Sequence, residues 1–192
     1  MDSLSHGLYG MICFGRTRRS KSLAAAFAFG ALPDLLPIAA FLILRWNVFE
    51  EWAVFQMATD GFSLGDFETV PTGRLFWPTH SLVVWAGLFA GAWALLRRVP
   101  WELGAWALHI VMDIPTHPPH PFPVAYCWPF EAPFFPWGFF WSRPGFLIVN
   151  ASVLAALCWF KFCRRDRVSP GRVPGPSVRS IPESSAAGSS RF

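Results

Sequence analysis

Charged residues are scarce in this chain. Only 15% of its 192 residues are charged and 53% are hydrophobic, whereas soluble domains carry about 25% charged residues. The apolar residues come in long blocks, which is typical of a chain that faces lipid instead of water. The composition therefore favours a protein embedded in a bilayer over a water-soluble globular domain.

Outside its C-terminal tail, the chain carries no excess of positive charge. Its net charge is +4, but residues 164–192 alone hold six arginines against Asp166 and Glu183. The rest of the chain has ten basic and ten acidic residues, so we expect no nucleic-acid partner. Residues 164–192 show no apolar periodicity, and we interpret them as a disordered basic cytoplasmic tail lying against anionic lipid.

Paired cysteines are absent as well. The four cysteines, Cys13, Cys127, Cys158 and Cys163, form no CxxC pair and have no disulfide-scaffold spacing. This pattern excludes a disulfide-stapled domain, and we expect free thiols buried in apolar surroundings.

What the chain does have is four stretches that are apolar enough to cross a bilayer, which takes about 20 residues. They cover residues 22–44, 79–96, 101–116 and 144–162, and the third is short and interrupted. Residues 1–15 are too few to span and predict a re-entrant or interfacial helix capped by Asp2 or Ser3. The predicted fold is thus all-α and polytopic, with a helical membrane domain over residues 1–163.

Basic clusters predict the orientation of these stretches. They precede the first stretch, separate the second from the third, and follow the fourth, so all fall on one side if each stretch crosses. That side should be the cytoplasm, so both ends of the helical domain are expected on the cytoplasmic side. We expect the membrane to be a bacterial or archaeal plasma (inner) membrane. The loop 46–78 then faces outward, with Asp60, Asp66 and Glu68 as solvated charges.

Residues 118–141 combine many prolines with aromatic side chains. Proline blocks a regular helix, and Trp and Tyr favour the membrane interface. We interpret this segment as an outer-face lid in the headgroup layer, which is either an interfacial anchor or a groove for a lipid-like substrate. His120 should be exposed in it.

Ionisable residues within membrane spans are rare and are functional candidates. Here they are Asp34, His109 and Asp113, with His80 near a span end and His6 on the N-terminal helix. Counted from the cytoplasmic clusters at about 1.5 Å per residue, their segments bring polar groups to a band about 10 Å tall. His109 and Asp113 are four residues apart and share a helix face.

Imidazole and carboxylate groups together bind zinc or a similar divalent ion, and such an ion offsets the cost of burying the carboxylates. A metal-activated water is then a nucleophile near pH 7. The predicted ligands are His6, Asp34, His80, His109 and Asp113, in some subset. Whichever aspartate is not a tight ligand would act as general base, and His80 would bind substrate or protonate the leaving group.

Simpler roles exist for single members of this set. His109 alone is as well explained by a bond to a backbone carbonyl, and Asp34 alone by capping the half-helix after Pro33. Pro115 leaves His117 two choices, namely to turn towards the centre or to leave towards the interface.

Four motifs occur in a recognisable order: DSLSHG, GALPDLLP, THS, and LHIVMDIPTH followed by WPF. In order and rough spacing over residues 2–130, the chain resembles the YdjM family of inner-membrane metal-dependent hydrolases. The resemblance implies that His6, Asp34, His80, His109 and Asp113 form the polar centre, with Thr116 beside it. Pro78 stands where a basic residue is common in that family.

The resulting functional hypothesis is hydrolysis of an ester or phosphoester in a lipid or amphipathic substrate. Membrane lipid is the expected partner. Two alternatives remain: a His/Asp-lined transporter of protons or metal ions, and a non-enzymatic scaffold whose basic tail recruits cytoplasmic partners.

Overall fold

Helices make up all the regular structure in the computed structural model, which describes residues 1–44, 71–119 and 123–163. The predicted all-α class is confirmed for these residues. The helices are α1 (Ser3–Phe14), α2 (Ser20–Leu44), α3 (Pro71–Thr79), α4 (Leu82–Leu96), α5 (Gly104–Thr116) and α6 (Pro144–Cys158). A 3₁₀ turn (Trp101–Leu103) precedes α5, and a π-helical turn (Trp159–Cys163) extends α6.

The short helix α1 packs against α2, α5 and α6. Asp2 is its N-cap, because the carboxylate accepts a 2.8 Å hydrogen bond from the backbone N–H of Ser5. This satisfies one of the N–H groups that the first turn leaves without a helical partner, and it confirms the predicted cap. The helix ends at Gly15, whose N–H bonds to the carbonyl of Met11.

Prolines do not end the two helices that carry the acidic residues. Helix α2 continues through Pro33 and Pro37 to Leu44, and α5 continues through Pro115 to Thr116. Each internal proline removes one backbone hydrogen bond, but Pro115 lies in the last turn, where little of the helix follows it.

Two helical stretches are long and apolar enough to cross a membrane, Ser20–Ala40 and Pro144–Cys163. Helix α4 is apolar but has 15 residues, and α5 has 13, fewer than the roughly 20 residues a crossing takes. Four crossings therefore stay a prediction.

The outer loop was predicted too long. Residues 71–79, most of them assigned to that loop, form α3, and the second apolar helix begins only at Leu82. Its N-cap is Ser81, whose hydroxyl accepts from the N–H groups of Val83 and Val84.

Burial is inverted relative to a soluble protein. The largest fully buried side chains include His6, His80, His109 and Asp113. Meanwhile Leu95 is 85% exposed and Ile43 78% exposed. The apolar core is a small cluster of Leu103, Trp106, Ile110 and Val124, with half-buried side chains around it. Folding removes few large apolar side chains from the surface, so burial of apolar groups from water would stabilise this fold only weakly.

The irregular character predicted for residues 118–141 is confirmed over the part that the structure describes. The segment is tied to the bundle by hydrogen bonds from the N–H of Leu82 to the carbonyl of Tyr126, and from the hydroxyl of Ser81 to the carbonyl of Trp128. Its placement in the headgroup layer stays a prediction.

The cysteines are free, as expected, but their predicted burial is only partly right. Cys13 and Cys163 are exposed, and Cys127 and Cys158 are half-buried, since the bundle turns apolar and weakly polar side chains outward as well as inward. The acidic loop charges, His120 and the basic tail lie outside the described residues.

Candidate metal centre

Side chains from three parts of the fold meet in the interior of the bundle. Asp34 comes from α2, His80 from the turn between α3 and α4, and His109 and Asp113 from successive turns of α5. One ligand atom from each of the four lies within 4.8 Å of the others. The structure thus brings together four of the five predicted ligands in a group that can hold a metal ion.

The spacing of these atoms is that of a small coordination sphere. The Nε2 atoms of His80 and His109 are 3.0 Å apart. Asp34 Oδ1 lies 3.3 and 3.4 Å from these two nitrogens, and Asp113 Oδ2 lies 3.3 and 3.2 Å from them. A tetrahedral zinc site has metal–ligand bonds of about 2.0–2.1 Å, which correspond to ligand–ligand edges of about 3.3 Å.

Backbone carbonyls determine which nitrogen of each of the two imidazoles carries a hydrogen. His80 Nδ1 lies 2.9 Å from the carbonyl oxygen of Phe76, and His109 Nδ1 lies 2.7 Å from that of Gly30. A carbonyl oxygen only accepts, so each Nδ1 carries a hydrogen, and in the neutral ring each Nε2 presents a lone pair. Metal-binding histidines are oriented in this way, with the second nitrogen donating to a carbonyl or carboxylate.

Four electron-pair donors therefore converge with no hydrogen of their own between them. Two imidazole lone pairs at 3.0 Å and two carboxylate oxygens repel one another in a buried site. A cation at the centre, whether a metal ion or protons on the rings, removes the repulsion. The donor set fits a divalent metal ion.

Asp113 supplies a second sign of a cation site. Its Oδ1 accepts a 2.8 Å hydrogen bond from His6 Nε2 and contacts the Met1 amine. Its Oδ2, which faces His80 and His109, is buried without a hydrogen-bond partner. Buried carboxylate oxygens are normally satisfied, so a free oxygen aimed at two imidazole nitrogens fits the donor set.

Asp34 is the accessible member of the group. Its side chain is 14% exposed, whereas those of His80, His109 and Asp113 are fully buried. Its Oδ2 accepts a 2.8 Å hydrogen bond from the hydroxyl of Ser3, which leaves Oδ1 facing the histidines. Water or a substrate would reach the centre on the Asp34 side.

His6 lies against this group instead of among the four. Its ring stacks on that of His109 with centroids 3.7 Å apart, and its Nε2 donates to Asp113. Its Nδ1 is buried without a hydrogen-bond partner, so the ring keeps a lone pair beside the centre. The role of His6 as a direct ligand stays a prediction.

A close crossing of α1 and α2 brings His6 to this position. A Cβ atom at Gly30 would lie 2.5 Å from the carbonyl oxygen of His6 and 3.2 Å from the Cα of Gly7. Only glycine at position 30 allows the backbones to approach so closely. The same residue provides the carbonyl that orients His109.

Thr116 and His117 lie beside the centre. The hydroxyl of Thr116 is 3.4 Å from Asp113 Oδ1, as the resemblance implies. His117 Nδ1 is 3.2 Å from the carbonyl oxygen of Asp113 and 3.5 Å from its Oδ1. Burial lowers the pKa of His117 to about 4, so its ring is neutral at pH 7. His117 therefore turns towards the centre and contacts Asp113, but it lies outside the group of four.

Sequence reasoning missed the residues that act through other groups. Gly30 and Phe76 orient the histidines with backbone carbonyls, which no side-chain pattern reveals. Ser3 was considered only as a cap, yet its hydroxyl bonds Asp34. Ser81 follows His80 directly and is fully buried. Its place in the THS string was the one sequence feature that could have pointed to it.

No family model, no curated protein and no solved structure matches this chain. The geometry of the centre and the motif order are therefore what bears on function.

Proposed function

We propose that this chain is a membrane-embedded, metal-dependent hydrolase, with zinc held by Asp34, His80, His109 and Asp113. The observation that carries the proposal is the convergence of two imidazole lone pairs and two carboxylate oxygens, with the nitrogen–nitrogen and nitrogen–oxygen distances at 3.0–3.4 Å. Buried charges of this kind are kept in proteins where they are paired or coordinate a metal.

The apolar exterior supports the membrane location. The two long apolar stretches are only 28% and 11% buried within the protein, whereas the core helix of a soluble protein is mostly buried. A bilayer would cover the leucine, isoleucine and valine side chains that both leave exposed. In this arrangement the ionisable centre is enclosed by helices, as intramembrane charges generally are.

The donor types favour zinc. Calcium and magnesium prefer six or more oxygen ligands, or octahedral sites rich in water, whereas two imidazoles with two carboxylates suit zinc at near-tetrahedral spacing. Both histidines are also held from behind by carbonyls, which is the second-layer support that zinc ligands usually have.

Hydrolysis fits the division of labour between the two aspartates. A divalent cation held by these four residues would supply a water that ionises near pH 7 and positive charge that stabilises a leaving group. Asp113 is fully buried and contacts His6 and both histidines of the group, so it anchors them. Asp34 is partly exposed, so its carboxylate would be the weakest of the four ligands: it would give way to a water and accept that water's proton.

An ester or phosphoester with an apolar portion is the proposed substrate class. A cavity of about 380 Å³ is lined by aromatic side chains, among them Trp77, Tyr126, Trp128 and Phe130. Trp77, which lines this cavity, lies three residues before His80 on the chain. The resemblance to the YdjM family of inner-membrane hydrolases supports the same reaction class.

Metal analysis of the purified full-length protein tests the centre. We expect about one zinc per chain in the wild type, and less than a tenth of that in His109→Ala and Asp113→Ala. Matched controls are Asp2→Asn, a carboxylate used only as a helix cap, and His117→Gln, whose ring lies outside the group of four; both should retain the ion. Equal metal content in all five proteins would contradict the site.

Hydrolysis of chromogenic probes tests the reaction. p-Nitrophenyl esters of short fatty acids and bis-p-nitrophenyl phosphate are the probes, assayed in detergent micelles with and without a chelator. Asp34→Asn should retain much of the zinc but lose turnover, whereas Asp113→Asn should lose both. Protein that holds stoichiometric zinc and turns over neither probe would overturn the hydrolase proposal while leaving the metal site intact.

The two alternatives have their own tests. Transport is favoured by the contiguous row of imidazoles, in which His6 stacks on His109 and His109 meets His80 edge to face, because such a row offers successive proton acceptors. Flux of zinc or protons into liposomes that disappears in His109→Ala would support it. A scaffold would tolerate alanine throughout the centre and would fail when residues 164–192 are deleted.

A further inference from the structure

A second polar cavity lies at the other end of the bundle, where α2 begins and α4 ends. Its volume is about 670 Å³. Five cationic side chains line it, against the single carboxylate of Glu102: Arg16, Arg18, Arg19, Lys21 and Arg98. None of the five forms an ion pair with a carboxylate in the described ranges. Three of them lie in the turn-forming segment ahead of α2, and Lys21 lies in the first turn of α2.

The one carboxylate in the cavity is already engaged. Glu102 accepts a 2.5 Å hydrogen bond from the hydroxyl of Ser22, and that hydroxyl accepts from the N–H of Arg16. This chain of bonds links the 3₁₀ turn before α5 to the start of α2 and holds the cationic segment in place. The cavity consequently keeps a strong excess of positive charge.

An apolar wall continues from the cationic mouth. Phe29, Leu96 and Leu103 line the same cavity, and Leu96 is 52% exposed. The positive end of the α2 helix dipole, at Ser20, points to the cationic side. A ligand that fills this space carries a negative group at one end and an apolar chain at the other.

We propose that this cavity binds the phosphate group of an anionic amphiphile, with the apolar wall receiving its chain. Basic pockets between membrane helices on the cytoplasmic side bind anionic lipid headgroups in this manner. The cavity is separate from the candidate metal centre, because Ser22 and Asp34 are twelve residues apart on α2, or about 18 Å.

Retention of lipid by the full-length protein in detergent, measured by native mass spectrometry, tests the proposal. The lipids are phosphatidylglycerol and, as a zwitterionic control, phosphatidylcholine. The key comparison is Arg98→Gln with Arg97→Gln. Both remove one exposed charge at the same surface, but only Arg98 lines the cavity. We expect Arg98→Gln to weaken phosphatidylglycerol binding about fivefold and Arg97→Gln to leave it nearly unchanged.

Glu102→Gln provides a test in the opposite direction. Its amide oxygen still accepts from Ser22, but the negative charge is gone, so phosphatidylglycerol should bind more tightly. A variant that merely disturbs folding would not give this gain.

Soluble glycerol phosphate and inorganic phosphate, added as competitors, distinguish the two sources of the anion. Displacement of phosphatidylglycerol by millimolar phosphate supports a site for the anionic group alone, and resistance to it supports a site for the whole lipid. Equal losses in Arg98→Gln and Arg97→Gln, or equal retention of the two lipids, would overturn the proposal. Zinc content is expected to be the same in all these variants, so this result is independent of the metal centre.

Discussion

Gly30→Ala tests how the helices hold the centre together. The added methyl group would lie 2.5 Å from the carbonyl oxygen of His6. Ordinary carbon–oxygen contacts are about 3.3 Å or longer, so the two helices must separate by about 0.8 Å. The obstructing atoms belong to backbone and have no rotamer to adopt.

The cost follows from the contacts that this shift breaks. Overpacking costs about 1–3 kcal/mol. A displacement of His6 by about 0.8 Å would stretch its 2.8 Å bond to Asp113 beyond hydrogen-bonding range, and such a bond to a charged group contributes about 1.5–3 kcal/mol. The sum is about 2.5–6 kcal/mol, which in a chain of this size lowers Tm by about 5–20 °C. Because His109 donates to the carbonyl of Gly30, zinc affinity should also fall about 10–100-fold.

Thermal unfolding and zinc titration of the detergent-solubilised protein measure both effects. The matched control is Gly91→Ala on α4, where a Cβ atom meets nothing within 4 Å. That change should leave zinc binding intact and raise stability slightly, because alanine favours a helix over glycine by about 1 kcal/mol. If the two variants unfold at the same temperature and bind zinc equally well, the close crossing of α1 and α2 has been misjudged.

Three further outcomes are expected. Lys161→Met removes an ammonium that donates to three carbonyls at the end of α1, so Tm should fall by several degrees, and an unchanged Tm would show that these bonds contribute nothing. Ser81→Ala loses the cap of α4 and the bond to Trp128, at a cost of about 1–2 kcal/mol; urea unfolding measures it, with Ser152→Ala, an exposed helical serine, as the control. Chelation should lower the Tm of the wild type by at least about 5 °C, because the ion binds only the folded chain, and should leave Asp113→Ala unaffected.

The parts of the fold that were predictable are those governed by local chemistry. The start and end of α2 lie within two residues of the predicted stretch 22–44, since a long apolar run has few alternatives. The Asp2 cap follows from one carboxylate beside a free N–H. Helix α3 was missed because Gly73 and Pro78 interrupt its pattern and both disfavour a helix interior.

The centre was predictable for a different reason. An aspartate or histidine within an apolar helix has few partners except another such group, so Asp34, His80, His109 and Asp113 could be grouped without knowledge of the fold. The support from Gly30 and Ser3 was not predictable in the same way. It depends on the crossing of α1 and α2, which helix periodicity does not determine. For Gly30 it also depends on a backbone carbonyl, which every residue possesses and no sequence pattern marks.

X-ray absorption spectroscopy of the zinc-loaded wild-type protein tests the central claim most directly. The proposed site predicts about one zinc per chain, bound by nitrogen and oxygen at about 2.0–2.2 Å, with the multiple-scattering signature of two imidazoles. That signature should drop to one imidazole or vanish in His80→Ala. A spectrum with sulfur ligands, with oxygen ligands alone, or unchanged by that substitution would contradict a metal centre built from these four residues.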